Sequence, residues 1–179
     1  MKMLMKSLLG AAVALSAPAL AGHVLEDVEL RPLAGREAVD LRAAYDGQVL
    51  LVVNTASKCG LTPQYEGLEA LQQRYADRGF SVLGFPSGDF MNQEFEDEEQ
   101  IAEFCTLNYG VQFPMFERVS VKGSGATVLF RRLAEATGVE PGWNFHKYLV
   151  NRDGEVVAQF GSRTTPEDAA VIAAIEAAL

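Results

Sequence analysis

The segment Leu50–Pro63 reads Leu-Leu-Val-Val-Asn-Thr-Ala-Ser-Lys-Cys-Gly-Leu-Thr-Pro, and the rest of the chain is arranged around it. Its apolar, partly β-branched start predicts a buried strand, and a small polar turn follows. Thr62 and Pro63 are typical of the N-cap and the first position of a helix. Cys59 is therefore predicted to lie at a turn from a strand to a helix.

The predicted position of Cys59 bears on its chemistry. The N–H groups and the dipole of a helix N-terminus favour an anion, so a thiolate, the reactive form of cysteine, is stabilised there. Lys58 adds positive charge nearby, although the side chains of adjacent residues generally point apart. From this stretch alone, a half-buried structural cysteine or one half of a disulfide explains Cys59 equally well.

The first 21 residues have the pattern of a cleavable secretory signal. Lys2 and Lys6 form a basic start, residues 8–20 are apolar, and Ala19–Ala21 fits an A-x-A cleavage site. The apolar run is shorter than the ~20 residues that a membrane-spanning helix needs. We therefore expect residues 1–21 to be a signal peptide, and the protein to be exported, in a periplasmic type of location, after its cleavage.

The remaining 158 residues (179 less 21) suit one compact domain, residues 22–179. The leader holds two lysines and no acidic residue, so the formal net charge of −9 becomes −11 without it. A domain with this charge does not attract nucleic acid or an anionic membrane surface. We expect neither of these partners and no stable membrane anchor.

Hydrophobic periodicity predicts the element order β-α-β-α-β-β-α after a peripheral hairpin within residues 23–45. Strands at residues 48–54 and 80–85 are joined by a helix, so they should be parallel neighbours. The other predicted elements are helices at 97–108, about 129–138 and from Thr165, a short strand at 118–121, and a hairpin of strands 145–151 and 155–160. This order matches an α/β, thioredoxin-like fold, with a central mixed sheet flanked by helices.

Loops that follow parallel strands gather at one edge of a sheet, and functional groups lie there. Cys59 and the loop from Pro86 to Glu94 are both predicted at this edge. The acidic residues nearby are most economically a solvated start of the next helix, favoured by its dipole, and receive no catalytic role. They are Glu94, Glu96, Asp97, Glu98 and Glu99.

The second cysteine, Cys105, lies within the helix predicted to begin at the Asp97 cap and to stop at Gly110. Helical spacing places it on one face with Ile101, Phe104 and Asn108. Packing in the core is the simplest interpretation of Cys105.

Three segments in this order resemble the cysteine-type glutathione peroxidase family. They are Asn54–Gly60, then Gly84–Pro86 with Gln93 and Glu94 beyond it, then Trp143–Phe145, and the segment Tyr109–Phe116 adds to the pattern. The resemblance covers nearly all of residues 24–178. It implies a thioredoxin-like fold and a peroxidase that reduces hydrogen peroxide and organic hydroperoxides without a metal or an organic cofactor.

The resemblance implies that Cys59 is the peroxidatic residue and that Gln93, Trp143 and Asn144 complete a catalytic tetrad. The two amides and the indole N–H can donate hydrogen bonds to a thiolate without titrating near neutral pH. Taken alone, Trp143 could be a core anchor, Asn144 a turn residue and Gln93 a solvated side chain. Gln93 has support of its own, because it follows a strand predicted to end beside Cys59.

The sequence around Cys105 resembles the resolving-cysteine helix of the thioredoxin-dependent branch. The resemblance implies that Cys105 attacks a sulfenic acid on Cys59, and that a thioredoxin-like protein or glutathione reduces the resulting disulfide. A packed Cys105 can do so only if its helix first opens locally.

The chain departs from the family pattern in two places. The usual Phe-Pro-Cys-Asn-Gln-Phe is Phe-Pro-Ser-Gly-Asp-Phe at Phe85–Phe90, and Phe95 stands where a proline usually follows Gln-Glu. The long insertion of tetrameric members is absent between Gly125 and Trp143, so we expect a monomer.

Two other functions fit the same residues. A thiol-disulfide oxidoreductase would share the fold, although Gly60, Leu61 and Thr62 after Cys59 exclude a C-x-x-C motif. A non-enzymatic module with a permanent bridge between Cys59 and Cys105 is also consistent with an exported domain. Reduction of a model disulfide without peroxide would indicate the first, and a bridge that resists mild dithiols the second.

Overall fold

Four strands form the central sheet in the computed structural model, which describes residues 22–179. Their order is β4 (Phe80–Pro86), β3 (Val49–Thr55), β5 (Lys147–Val150) and β6 (Val156–Phe160). Strands β3 and β4 are parallel, whereas β5 is antiparallel to both β3 and β6. The mixed sheet and the parallel pair are as predicted, and the leader at residues 1–21 lies outside the described residues.

Within residues 22–179, five α-helices and a small hairpin surround this sheet. The helices are α1 (Leu41–Ala44), α2 (Gln64–Tyr75), α3 (Glu98–Tyr109), α4 (Val128–Thr137) and α5 (Ala169–Ala178), and the hairpin strands are β1 (Glu29–Leu30) and β2 (Val39–Asp40). The predicted N-terminal hairpin is confirmed. After it, the described elements follow the order α-β-α-β-α-α-β-β-α, which is the predicted β-α-β-α-β-β-α with α1 and α4 in addition. None of the helices within residues 22–179 is long and apolar enough to cross a membrane.

The sheet has a separate hydrophobic core on each face, because every residue of β3 and β4 is buried. On one face, Leu51 and Val53 pack with residues of α2, α3 and α5. On the other face, Leu50 and Val52 pack with α4 and with the N-terminal segment. Alternate residues of one strand thus serve opposite cores, which explains why β3 is a continuous apolar run.

Helix α2 begins one position later than predicted. Pro63 takes the N-cap position, and the predicted capping by Thr62 is wrong, since no side chain caps this helix. The Thr62 Oγ1 instead accepts a hydrogen bond from the Tyr109 hydroxyl at 2.9 Å. A tertiary contact with α3 therefore replaces the local cap.

The strand predicted at residues 118–121 does not form. The backbone N–H of Arg118 donates to a Glu98 carboxylate oxygen, and that of Val121 donates to Asp89. Carboxylates from outside the segment take the positions that a neighbouring strand would occupy. Such side-chain partners, far apart in sequence, leave no periodic signal.

Two predicted boundaries also shift, and one residue lies on a different helix face from the one predicted. Helix α3 has its predicted cap at Asp97 and its stop at Gly110, but Asn108 is exposed and does not share the buried face. Helix α5 is capped by Asp168 and begins at Ala169, later than the predicted Thr165. Strand β5 begins after Phe145, whose φ of 64° is incompatible with a strand.

Candidate active site

Cys59 lies in the turn between β3 and α2, where the sequence predicts it, and is 6% exposed. The backbone N–H of Leu61 points to the Cys59 Sγ at 3.4 Å, and the N–H of Thr62 donates to the Cys59 carbonyl at 3.2 Å. A backbone donor is therefore aimed at the sulfur from the turn that leads into α2, as a thiolate requires.

Gln93 reaches this turn from the loop after β4. Its carbonyl accepts the Lys58 N–H at 2.8 Å, which fixes the two loops beside each other. Its side-chain Oε1 accepts a hydrogen bond from the Asn144 Nδ2 at 2.9 Å. The structure thus brings Gln93 and Asn144 into direct contact, next to the residue that precedes Cys59.

Asn144 uses its amide group to orient Gln93. Because the Gln93 oxygen accepts from Asn144, the Gln93 side-chain nitrogen remains a donor for another group. Asn144 is fully buried, and its Oδ1 has no hydrogen-bond partner within the described residues. A buried amide with unused hydrogen-bonding capacity, paired with a half-buried one at the Cys59 turn, is suited to binding a polar substrate atom.

Asn54, at the end of β3, holds the segment that carries Trp143 and Asn144. Its Nδ2 donates to the Trp143 carbonyl at 3.1 Å, its Oδ1 accepts the His146 N–H at 3.1 Å, and its own carbonyl accepts the Phe145 N–H at 2.7 Å. Phe145 has a left-handed backbone conformation, which costs a non-glycine residue about 1–3 kcal/mol. The strand that leads to Cys59 therefore also fixes the turn that presents Asn144.

Trp143 is partly buried at the edge of the core on the α4 side. Its ring lies 5.5 Å from that of Phe90 between centroids. The Nζ of Lys122, an exposed residue, lies 4.5 Å from the centroid of the Phe90 ring. The structure thus places the Trp143 backbone with the other candidate site residues, while its side chain also has an ordinary packing role.

Glu94 corrects the prediction of a solvated acidic cluster, because it is only 1% exposed. Its Oε1 accepts the Ser57 N–H at 3.1 Å and the Phe95 N–H at 2.9 Å. Burial raises the pKa of the Glu94 carboxyl above its usual range. Glu94 therefore holds the backbone of the Cys59 turn at Ser57. A proline at position 95 has no N–H and could not donate the second of these hydrogen bonds.

The loop that departs from the family pattern is held by its own contacts. Asp89 accepts the Ser120 hydroxyl at 2.9 Å and the Val121 N–H at 2.7 Å. Gly88 lies against the Arg118 guanidinium, where a Cβ would collide. The contacts of Gly88 and Asp89 thus hold a compact loop, and Gln93 in this loop lies beside the Cys59 turn.

Cys105 is 2% exposed and lies in the second half of α3, so the prediction that it packs in the core is confirmed. It belongs to the same buried cluster as Cys59, and both are free thiols. Burial raises the pKa of the Cys105 thiol to about 11. In the closed helix Cys105 therefore stays protonated at neutral pH and is a poor nucleophile.

Tyr65, in the first turn of α2, packs against the end of α3. Its ring is 5.4 Å from Tyr109 and 5.2 Å from Phe145 between centroids, and its hydroxyl is buried without a partner in the described chain. Together with the hydrogen bond from Tyr109 to Thr62, this stack ties the last turn of α3 to the start of α2.

Sequence reasoning missed the supporting residues Asn54 and Glu94. Asn54 could have been noticed, because it is a polar residue at the end of a buried apolar run, where its amide must find partners. Glu94 carried no such signal, since a carboxylate next to four other acidic residues ordinarily lies in solvent. No group of three or more His, Cys, Asp or Glu suited to a metal occurs within residues 22–179.

Comparison with known proteins defines the class of this domain. Residues 25–134 match the glutathione peroxidase family model. The glutathione peroxidase homolog BsaA of Halalkalibacterium halodurans is 54% identical, with 68% of this chain and 80% of the relative covered. The thioredoxin/glutathione peroxidase BtuE of Escherichia coli K12 is 44% identical, covering 75% of this chain and 87% of the relative. The chain belongs to the glutathione peroxidase family.

Solved structures agree with the fold. The apo form of Trgpx superposes with a TM-score of 0.67 at 34% identity, covering 87% of this chain and 95% of that one. A secreted Mycobacterium tuberculosis disulfide oxidoreductase homologous to DsbE superposes with a TM-score of 0.58 at 14% identity, covering 88% and 98%. The second likeness shows the fold alone, so the thioredoxin-like architecture is established and its chemistry comes from the site.

Proposed function

We propose that this protein is a thiol peroxidase in which Cys59 attacks a hydroperoxide and Cys105 resolves the product. As a member of the glutathione peroxidase family, the protein is an oxidoreductase that reduces hydroperoxides. The observation that carries the assignment of residues is the contact of Gln93 with both Lys58 and Asn144, which gathers two amides at the Cys59 turn.

In the first step, the Cys59 thiolate attacks one peroxide oxygen. The O–O bond breaks, Cys59 becomes a sulfenic acid, and the other oxygen leaves as water or an alcohol after taking a proton. The Leu61 N–H supports the sulfur anion. The donors of Gln93, Trp143 and Asn144 stabilise the negative charge that develops on the leaving oxygen.

In the second step, Cys105 attacks the Cys59 sulfur. A disulfide forms, and the sulfenic oxygen leaves as water with the proton of the Cys105 thiol. Cys105 is buried in α3, so the last turns of this helix must open before the two sulfurs reach bonding geometry. Opening also hydrates Cys105, which removes the desolvation that holds its pKa at about 11.

An external thiol then reduces the disulfide and closes the cycle. We favour a thioredoxin-like protein over glutathione, because the site has a second cysteine positioned in a helix that can open. The name of one relative, the thioredoxin/glutathione peroxidase BtuE, includes both reductants. Another relative is named glutathione peroxidase-like peroxiredoxin gpx1, from Schizosaccharomyces pombe. We further propose that residues 22–179 act as one exported, monomeric domain.

Stopped-flow consumption of hydrogen peroxide by the reduced protein tests the assignment. We expect rapid consumption by the parent and by Cys105→Ser in a single turnover, and none above background by Cys59→Ser. Sustained turnover should be faster with a thioredoxin system than with glutathione. A Cys59→Ser protein as active as the parent would remove Cys59 from the mechanism.

A further inference from the structure

Lys147 is the most unusual buried group outside the proposed tetrad. It lies on β5 with no exposed surface, paired with Val53 on one neighbouring strand and with Phe160 on the other. Its side chain enters the core on the α2 side of the sheet. No carboxylate within residues 22–179 lies within ion-pair distance of it in the structure.

Three acceptors surround the Lys147 Nζ. They are the Gln64 Oε1 at 2.6 Å, the Phe145 carbonyl at 2.7 Å and the Thr164 carbonyl at 2.9 Å. The Gln64 amide nitrogen donates to the Ser162 carbonyl at 2.7 Å, so the Gln64 oxygen is the atom that faces Lys147. Three acceptors match the three N–H bonds of an ammonium group, whereas a neutral amine has only two.

Burying an unpaired cation is costly, and here burial lowers the pKa of Lys147 to about 7. The residue two positions along β5 on the same face, Leu149, and all residues of β3 before Asn54 are apolar, so an apolar side chain would suit this position. A lysine at such a position calls for a role beyond filling the core.

Two of the three acceptors belong to segments that build the proposed active site, and the third joins them to the loop before α5. Gln64 is the first residue of the helix that follows Cys59, and Thr164 lies in the loop before α5. Phe145 follows Asn144 directly and has the left-handed backbone conformation. Its N–H is already held by the Asn54 carbonyl, so Lys147 holds the other end of the same residue.

We propose that Lys147 is a positioning residue for peroxide reduction, because its contact with the Phe145 carbonyl keeps Asn144 directed at Gln93 and joins that turn to the start of α2. This role rests on the proposed function. Lys147 touches neither substrate nor sulfur in the mechanism, and acts through Asn144. A small displacement of a group at a reacting centre can lower a rate by about 10²-fold.

The test is to replace Lys147 by methionine, an apolar side chain of similar length, with Leu149→Ala as the matched control. Leu149 lies on the same strand and face and is fully buried, so its truncation opens a cavity but removes none of the three hydrogen bonds of Lys147. The measurements are the single-turnover rate with hydrogen peroxide and the fluorescence of Trp143, the single tryptophan of the chain.

We expect Lys147→Met to react at least about 10-fold more slowly and to shift the Trp143 emission. Leu149→Ala should be less stable than the parent but keep its rate and its emission. A Lys147→Met protein with the parental rate and emission would overturn the positioning role. A parent that consumes no peroxide would instead contradict the proposed function itself.

Gln64→Glu tests whether Lys147 acts on the reaction rate by positioning Asn144 or through its positive charge. It remains informative if Lys147→Met does not fold. The new carboxylate pairs with the buried ammonium group and still offers an oxygen to Nζ, while the hydrogen bond from the Gln64 amide nitrogen to the Ser162 carbonyl, outside the proposed active site, is lost. Positioning predicts a rate close to that of the parent. A rate at least about 10-fold lower, with parental Trp143 emission, would show that the positive charge acts directly and would overturn our inference.

Discussion

The surroundings of Cys59 and Cys105 differ in what holds the backbone. Next to Cys59, the N–H groups of Ser57 and Lys58 are bound by Glu94 and Gln93, which come from another loop. Around Cys105 the backbone is held by α3 itself and by its C-terminal cap at Gly110. The first arrangement persists only if two loops stay together, whereas the second can be lost one turn at a time from the helix end.

This difference fits the two chemical steps that we propose, with Cys59 as the nucleophile and Cys105 as the resolving cysteine. The nucleophile must be ready before peroxide arrives, so a turn fixed from several sides is an advantage. The resolving cysteine must move, and the exposed residues Thr106, Leu107 and Asn108 after it contribute little to the core. The comparison indicates that the backbone around Cys59 is fixed by other loops, whereas the end of α3 that holds Cys105 can open locally.

The largest effect that tests this comparison is the loss of chemistry at either sulfur. Cys59→Ser should lower the rate of peroxide consumption by at least about 10³-fold, because the hydroxyl is a far weaker nucleophile at neutral pH. Cys105→Ser should consume one equivalent at the parental rate and accumulate a sulfenic acid, detected by dimedone labelling. Equal behaviour of the two variants would break the distinction between the sites.

The second test uses the pH dependence of stability. Burial raises the pKa of Cys105 from 9.0 to about 11, so the unfolded chain loses this proton first as the pH rises. The reduced protein should therefore lose about 3 kcal/mol of unfolding free energy between pH 9 and 11 through this group. Urea denaturation should show a shallower decline for Cys105→Ala over the same range. Parallel pH profiles would mean that Cys105 is not buried as a thiol.

An intermediate effect is expected when the amide pair at the Cys59 turn is broken. Asn144→Ala removes the donor to the Gln93 Oε1, so Gln93 loses its orientation. The single-turnover rate with peroxide should fall by about 10- to 10²-fold, which corresponds to about 1–3 kcal/mol. Gln159→Ala, an exposed amide on β6, serves as the control and should keep the parental rate.

The smallest effect concerns the hydrogen bond that joins Tyr109, at the end of α3, to Thr62, just before α2. Tyr109→Phe removes the hydroxyl that donates to the Thr62 Oγ1 at 2.9 Å. Losing about 1 kcal/mol from the closed helix should speed formation of the Cys59–Cys105 disulfide by about 5-fold. Acid-quenched samples analysed by mass spectrometry would measure this rate.

Tyr148→Phe is the matched control for the loss of the Tyr109 hydroxyl. It also removes a buried hydroxyl, which donates to the Val139 carbonyl at 2.6 Å on the other side of the sheet. Its disulfide should form at the parental rate. The same acceleration in both variants would show a general loss of stability in place of a local opening of α3.

The sequence predicts the Cys59 turn and the sheet because both depend on local signals. An apolar run followed by a polar turn and Pro63 identifies the turn from strand to helix, and Gly110 marks the end of α3. The roles proposed for Gln93, Trp143 and Asn144 were accessible mainly through the family resemblance. The physical evidence on the chain itself placed only Gln93 near Cys59.

The rest depended on contacts between distant residues. The burial of Glu94, the ammonium of Lys147 within three acceptors and the left-handed Phe145 each require a partner from another segment. Hydrophobic periodicity carries no information about such partners. The failed strand at residues 118–121 has the same cause, because Glu98 and Asp89 replace its neighbours.

The most direct test of the central claim treats the reduced protein with one equivalent of hydrogen peroxide and maps the cysteines by mass spectrometry after acid quenching. At early times we expect a sulfenic acid on Cys59 alone, and later a Cys59–Cys105 disulfide with release of water. First oxidation at Cys105, or a Cys59 sulfenic acid that persists beside a free Cys105 thiol, would contradict the proposed roles of the two sulfurs.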